Sequence, residues 1–212
     1  MEVDIETLIT QGSKLLSIEL SAEQITTLIK LVKLLDKWNQ VHNLTAIRSQ
    51  LEMTKKHILD SLSIARYIEG ENILDVGSGA GFPGIVLAIL YPHKNITTLD
   101  ANSKKTRFML QAKIDLNINN LNIVCSRVEN YHPDTLFDII TSRAFASISK
   151  TLELTGHLLS SSGCYLIMKG LFPKEELEDI TQDAKFVLSR CDNLQVPYVN
   201  EQRHLVIITH QI

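Results

Sequence analysis

A chain of 212 residues, 44% of them hydrophobic and 21% charged, has the composition of an ordinary soluble globular protein and fits one domain with an added segment. Its formal net charge of −3 excludes a global attraction to nucleic acid, so any polyanion site must be a local basic patch. Three scattered cysteines, an acidic N-terminus without a signal-peptide pattern and no apolar run near the ~20 residues of a membrane span argue against a zinc centre, a disulfide framework or a membrane partner, and for a reducing, cytoplasmic location.

Residues 1–70 read as all-helical. A first helix covers Ile5 to Leu16. Ser21 and Gln24 form a capping box that opens a second helix, with Ile25, Leu28, Ile29, Val32 and Leu35 on one face. Leu31, Leu34 and Trp38 widen that stripe until the pattern breaks at Asn39. A third helix runs from Leu51 to Tyr67, with Ile58, Leu62 and Ala65 inward. This segment is expected to pack on the remainder, residues 71–212, as a helical extension.

Strands and helices alternate from there. Ile73, Leu74 and Val76 form a short buried strand, followed by a glycine turn and an apolar helix from Phe82 to Leu90 with Pro83 in its first turn. Further strands are expected at Ile96–Leu99, Leu121–Cys125, Phe137–Ser142 and Cys164–Met168, with Cys125 in the core. Helices are expected at Ser103–Asn117, Lys150–Leu159 and Lys174–Leu188. Val196-Pro-Tyr198 and Arg203 to Thr209 read as a terminal strand pair, the former confined to an edge by Pro197. Such alternation gives an α/β fold, a mainly parallel sheet with helices on both faces, whose site lies at the carboxyl ends of the strands.

Asp75, Gly77, Asp100, Arg127, Arg143 and Lys169 all fall at that edge. Gly77, Gly79 and Gly81 permit positive φ and close approach of a ligand to the backbone. Gly79 to Gly84 also satisfies G-x-G-x-x-G, so a nicotinamide-dependent oxidoreductase is one reading. Asp75 favours another, because a strand-end carboxylate suits a cationic ligand better than a pyrophosphate. The run Asp-x-Gly-x-Gly-x-Gly resembles motif I of the methyltransferases that use S-adenosylmethionine. Asp100 is then placed to accept both ribose hydroxyls, or else to cap the following helix. Ser126-Arg-Val-Glu129 falls where such enzymes seat adenine. Lys104, Lys105, Arg127, Arg143 and Lys169 together make a basic edge suited to phosphates. His57 and Asp60 share a helix face and read as a surface hydrogen bond, a substrate or lid contact, or a metal pair that lacks a third ligand. Neither an Asn/Asp-Pro-Pro-Tyr run nor a cysteine placed for pyrimidine C5 chemistry follows strand four.

Taken together, Asn43-Leu-Thr45, His57-Ile-Leu-Asp-Ser-Leu62, Asp75 to Gly84, Ser103-Lys-Lys105, Arg143-Ala-Phe145 and Lys169-Gly170 resemble the bacterial ribosomal RNA small subunit methyltransferase G family, also called glucose-inhibited division protein B, over essentially the whole chain. The resemblance implies a Rossmann-like methyltransferase fold and methyl transfer from S-adenosylmethionine to N7 of guanine 527 in the 530 loop of 16S rRNA. It implies cofactor contacts at Gly77, Phe82, Val128, Glu129 and Arg143, and basic site positions at Lys104, Arg127 and Lys169. Ala101 departs from the serine expected after the ribose-binding acid. Guanine N7 carries a free lone pair, so positioning groups are expected rather than a catalytic dyad, with Arg143 the foremost contributor and no metal. The expected partner is 16S rRNA or the 30S subunit, naked or partly assembled, acted on by a monomer without a protein partner. A non-catalytic RNA-binding module that retains the cofactor is the remaining alternative.

Overall fold

The computed structural model describes residues 4–180 and 185–211. Helix α1 (Ile5–Leu15) is capped by Asp4, which accepts from the Thr7 N–H at 2.7 Å. Helix α2 (Ala22–His42) opens on the expected Ser21/Gln24 capping box. The Gln24 amide also donates to the carbonyls of Ile89 and Leu90, at 3.1 and 3.0 Å, and so ties α2 to the end of helix α5 (Gly84–Leu90). Leu28, Leu31, Val32 and Leu35 of α2 belong to the same buried cluster as Ile85, Val86, Phe108 and Met109, so the N-terminal helices share one core with the sheet.

The third helix is not the continuous one expected. A short α3 (Gln50–Met53) widens into a π-helical stretch (Thr54–Leu59), returns to α geometry in α4 (Asp60–Leu62) and ends before a 3-10 turn at Ala65–Tyr67. A π segment rotates the side chains that follow it out of ordinary helical phase, a device found at functional sites. Here it carries His57 and delivers Asp60.

Strands β1 (Asn72–Val76), β2 (Asn95–Asp100), β3 (Leu121–Cys125), β4 (Phe137–Arg143), β5 (Leu159–Lys169), β6 (Phe186–Asn193) and β7 (His204–His210) make one sheet in the order β3-β2-β1-β4-β5-β7-β6. The first five are parallel, and β7 inserts antiparallel between β5 and β6. Helices α6 (Ser103–Asp115), α7 (Ile148–Thr155) and α8 (Lys174–Ile180) complete the crossovers. The strand order reverses between β1 and β4, which opens a crevice at their carboxyl ends.

Three further expectations fail. The terminal pair is β6 with β7, whereas residues 196–198 are irregular and Tyr198 has a φ of 63°. The helix expected over Lys174–Leu188 ends at Ile180 as far as it is described, residues 181–184 lie outside the described residues, and Phe186 already belongs to β6. Phe186 packs edge-on to Tyr165, with centroids 5.5 Å apart, and anchors that strand. Cys125 is exposed rather than buried, because β3 is an edge strand.

Candidate active site

The glycine loop after β1 is held by hydrogen bonds from both sides. Gly77, Gly79 and Gly81 have φ of 66°, 61° and 89°, a region that costs any residue with a Cβ. The Ser78 hydroxyl donates to the Asp75 carbonyl at 2.6 Å and accepts from the Leu99 N–H at 3.1 Å. The Gly79 N–H donates to Asp100 Oδ2 at 2.9 Å, while Asp100 Oδ1 accepts from the Asn102 N–H at 2.8 Å. Asp100 is therefore a brace between loop and strand, and the α6 cap is Asn102, whose side chain accepts from the Lys104 N–H. A Cβ on Gly79 would meet nothing within 4 Å, whereas one on Gly77 would collide with the Phe145 ring. Gly79 is the glycine that faces open space. Gly77 is required by Phe145.

Asp75 lies beneath the loop, fully buried. Its Oδ2 accepts from the Gly84 N–H at 2.8 Å, and its Oδ1 has no partner. Burial pushes its carboxyl group up to about 7, against the opposing pull of the Gly84 hydrogen bond and the Arg143 charge. Helix α5 starts at Gly84 and not at the expected Phe82: Pro83 stands at its N-cap, outside the first turn, and the Asp75 carboxylate accepts the otherwise unpartnered N–H of its first residue.

Two hollows meet at Gly77, Lys105 and Ala144. The smaller, about 330 Å³, is bounded by Asp100, Ala101, Arg127, Val128, Glu129 and Phe145. Val128 is buried, and Arg127 and Glu129 are exposed at its rim. The larger, about 480 Å³, is walled by Gly79, Phe82, Arg143, Lys169, Gly170, His57, Asp60, Thr45 and Arg203. Ala144, on both walls, has a φ of 53°, a strained conformation for alanine.

A polar network fills one wall of the larger hollow. Arg143 Nη1 donates to the Lys56 carbonyl at 2.8 Å and to Asp60 Oδ2 at 3.0 Å, and Nη2 meets His57 Nδ1 at 3.1 Å. Asp60 Oδ1 accepts from Arg203 Nε at 2.9 Å. His57 Nε2 is 3.1 Å from the Thr45 hydroxyl, and the imidazole stacks on Phe82. Burial first, then the neighbouring Arg143 charge, depress the His57 imidazolium to about 3, so the ring is neutral. Thr45 is presented by a loop that Asn39 knits from inside. The Asn39 amide donates to the Ile47 carbonyl at 2.8 Å and its Oδ1 accepts from the Thr45 N–H at 2.9 Å.

Of the residues singled out from sequence, Gly77, Gly79, Phe82, Asp100, Lys105, Arg127, Val128, Glu129, Arg143 and Lys169 line one hollow or both. Asp75 lines neither, and nor does Lys104, which is exposed on α6. Lys169 is not a free cation, since both Glu176 oxygens accept from its Nζ, at 3.0 and 2.8 Å. Among the described residues, no group of three or more His, Cys, Asp or Glu side chains could hold a metal ion. Arg203 was missed as a site residue. The signal was available: the N-terminal end of an antiparallel last strand lies at the carboxyl edge of its parallel neighbours, and Arg203 immediately precedes β7.

Comparison with known proteins places these features in a family context. A family model described as rRNA small subunit methyltransferase G matches residues 24–206. The Ribosomal RNA small subunit methyltransferase G of Nitrosococcus oceani is 49% identical over 201 residues, covering 95% of this chain and 93% of that protein. That of Alteromonas mediterranea is 44% identical over 206 residues, covering 97% of each. Among solved structures, a SAM-dependent methyltransferase from Aquifex aeolicus superposes with a TM-score of 0.58 at 16% identity, over 71% of this chain and 90% of that one. The glycopeptide N-methyltransferase MtfA, complexed with S-adenosylmethionine, gives 0.63 at 8% identity over 74% and 88%. At these identities the structural matches speak for the fold, which is that of the SAM-dependent methyltransferases.

Proposed function

The chain belongs to the rRNA small subunit methyltransferase G family, and we propose that it transfers a methyl group from S-adenosylmethionine to N7 of guanine 527 in the 530 loop of 16S rRNA. Membership of this family selects S-adenosylmethionine over a nicotinamide dinucleotide for the glycine loop. The residues present suit that cofactor. Gly79 leaves the backbone bare toward open space, and Asp100 stands on the smaller hollow beside Val128 and Glu129. In this reading Asp100 holds the ribose hydroxyls, Val128 and Glu129 the adenine, and Gly77, Gly79, Phe82 and Arg143 the amino-acid end. Asp75 supports the loop from below instead of touching the ligand. When bound, the cofactor supplies an electrophilic methyl group on a sulfonium.

One observation carries the reading of the acceptor atom. The groups on the larger hollow that could act as bases are committed elsewhere: His57 lies between Thr45 and Arg143, and Asp60 lies between two arginines. Guanine N7 presents its lone pair without deprotonation, so a wall that orients and does not take a proton suits it. Orientation alone can supply about 7–11 kcal/mol in favourable cases. Lys104 and Arg127 are available for phosphates, whereas Lys169 is compensated by Glu176 and Lys105 stands 3.8 Å from Asp100 Oδ2. The substrate is 16S rRNA, naked or within the 30S particle, acted on in the cytoplasm by a monomer.

The test is transfer of labelled methyl from S-adenosylmethionine to naked 16S rRNA and to 30S particles lacking the modification, with nucleoside mapping by mass spectrometry. Label as 7-methylguanosine at position 527 is the expected result. Label on another atom or nucleotide overturns the assignment, and RNA binding without transfer leaves the non-catalytic module.

A further inference from the structure

We propose that Arg203 is an RNA-binding residue of this site, taking a phosphate of the incoming nucleotide, and that Asp60 is the positioning residue that presents it. The inference rests on the proposed function and adds a contact from the C-terminal part of the chain. Four observations carry it. Arg203 lines the larger hollow, and its side chain keeps 20% of its surface exposed. The antiparallel direction of β7 is what brings it there, one residue beyond the Lys169–His204 pair of the β5–β7 ladder. His204 fixes that register from the side chain as well, with Nδ1 2.8 Å from the Gly170 carbonyl. Asp60, only 2% exposed, holds Arg203 Nε with one oxygen and Arg143 Nη1 with the other.

Charge decides what such a group can bind. One carboxylate faces two guanidinium groups, and the neighbouring imidazole is neutral, so the cluster keeps a formal charge of one positive unit toward the hollow. Lys169, on the same wall, adds none beyond its Glu176 partner. Arg143 has its two terminal nitrogens bound to Lys56, Asp60 and His57. Arg203 is anchored through Nε to Asp60 and through Nη1 to the Gln202 carbonyl. That anchoring sets the guanidinium plane and leaves its cationic charge to a phosphate, the anion an RNA chain brings with its base. The Lys56–Glu201 ion pair ties the same two segments together and holds Arg203 against the π-helical stretch.

The test uses the full chain with Arg203→Ala, Arg203→Lys and Asp60→Asn. Each variant is measured for S-adenosylhomocysteine affinity by calorimetry, naked 16S rRNA binding across a salt series, and KM and kcat of methyl transfer. Arg203→Ala should raise the RNA KM about ten-fold or more while cofactor affinity and kcat stay within about two-fold. Its salt slope should fall by about 0.7–0.9. Arg203→Lys should keep the slope and recover only part of the KM, because a point charge lacks the planar fork. Asp60→Asn should weaken both RNA and cofactor binding, since it releases both arginines. If it fails to fold, the two Arg203 variants decide alone. An unchanged RNA KM and slope in Arg203→Ala, with only a lower melting temperature, would reduce Arg203 to a structural ion pair and overturn the proposal. A cofactor loss equal to the RNA loss in that variant overturns it too. A wild-type protein that transfers no methyl group defeats the proposed function instead, and the salt series on Arg203→Ala still decides this inference.

Discussion

His57 lies flat on Phe82, with ring centroids 4.8 Å apart and planes within 12°. The contact joins the π-helical stretch of the N-terminal extension to the ring that follows the glycine loop. It also fixes the edge of the imidazole: an arginine donor at Nδ1 makes that nitrogen the acceptor, so the proton sits on Nε2 and points to Thr45. The extension therefore completes the site's wall, beyond simply covering the sheet.

A pH dependence of stability follows from this burial. The unfolded chain takes a proton on His57 near pH 6.5, but the folded protein resists until about 3. Between those values the unfolded state binds the extra proton, so this group's contribution to stability falls as pH falls. The slope approaches about 1.4 kcal/mol per pH unit, or about 2 kcal/mol between pH 6.5 and 4.5. Denaturant unfolding of wild type and His57→Gln across that range checks it. Wild type should lose more stability than the variant; parallel curves would mean that folded His57 is charged.

The glycine loop gives a paired prediction. Gly79→Ala places a methyl group in open space at a φ of 61°, so it should fold at a cost of about 1–2 kcal/mol and lose cofactor affinity. Gly77→Val adds the same backbone strain and drives a branched side chain into Phe145, so its first effect should be on folding. Circular dichroism and calorimetry with S-adenosylhomocysteine separate the two. A Gly77→Val protein with a wild-type melting temperature would remove Phe145 as the reason for that glycine.

These two positions show what was legible in the sequence. Positive-φ glycines and strand-terminal acids are local constraints, so the loop, Asp100 and Arg143 could be placed at the carboxyl edge without coordinates. Strand β6 could not. The register shifts between Leu188 and Arg190, and this interrupts the two-residue alternation that marks a strand. Phe186 and Leu188 then read as the end of a helix. Asp60 joins Arg143 to Arg203 through contacts between segments remote in the chain, and Glu176, on α8, folds back onto Lys169 at the end of β5. Such pairings depend on tertiary packing, which periodicity does not carry. The sequence accordingly puts Lys169 in the basic edge suited to phosphates, with no sign of its Glu176 partner.

Asp100 and Asn102 divide tasks that sequence alone left to one residue. Asn102→Ala removes the α6 cap and should cost about 1 kcal/mol of stability with no loss of cofactor affinity. Asp100→Ala frees the Gly79 and Asn102 N–H groups together, and should weaken the cofactor by about 1.5–3 kcal/mol besides lowering stability. Thermal melts with and without S-adenosylhomocysteine give both quantities. An Asn102→Ala protein that loses affinity as Asp100→Ala does would show that α6, not the carboxylate, holds the loop.

The basic edge is not one uniform surface, and Glu176 is the residue that shows it. Its Oε2 accepts from Lys169 Nζ at 2.8 Å and from the Ile148 N–H, at the start of α7, at 2.6 Å. Lys169 also donates to the Ala146 carbonyl at 3.3 Å, so its ammonium is surrounded by acceptors and largely covered. Lys104, by contrast, is exposed on α6. In a salt series on RNA binding, Lys104→Ala should reduce the slope by about 0.7–0.9, one phosphate contact. Lys169→Ala should leave the slope nearly unchanged, because Lys169 holds no phosphate in this reading, but should weaken binding, because it leaves the Glu176 carboxylate unbalanced. Glu176→Gln should do the opposite of a lysine deletion: it uncovers Lys169 and steepens the slope by a similar amount, while its amide oxygen can still accept from Ile148. A Lys169→Ala slope that falls as far as that of Lys104→Ala would mean that RNA displaces Glu176 on binding, and that the ion pair is a feature of the free protein only.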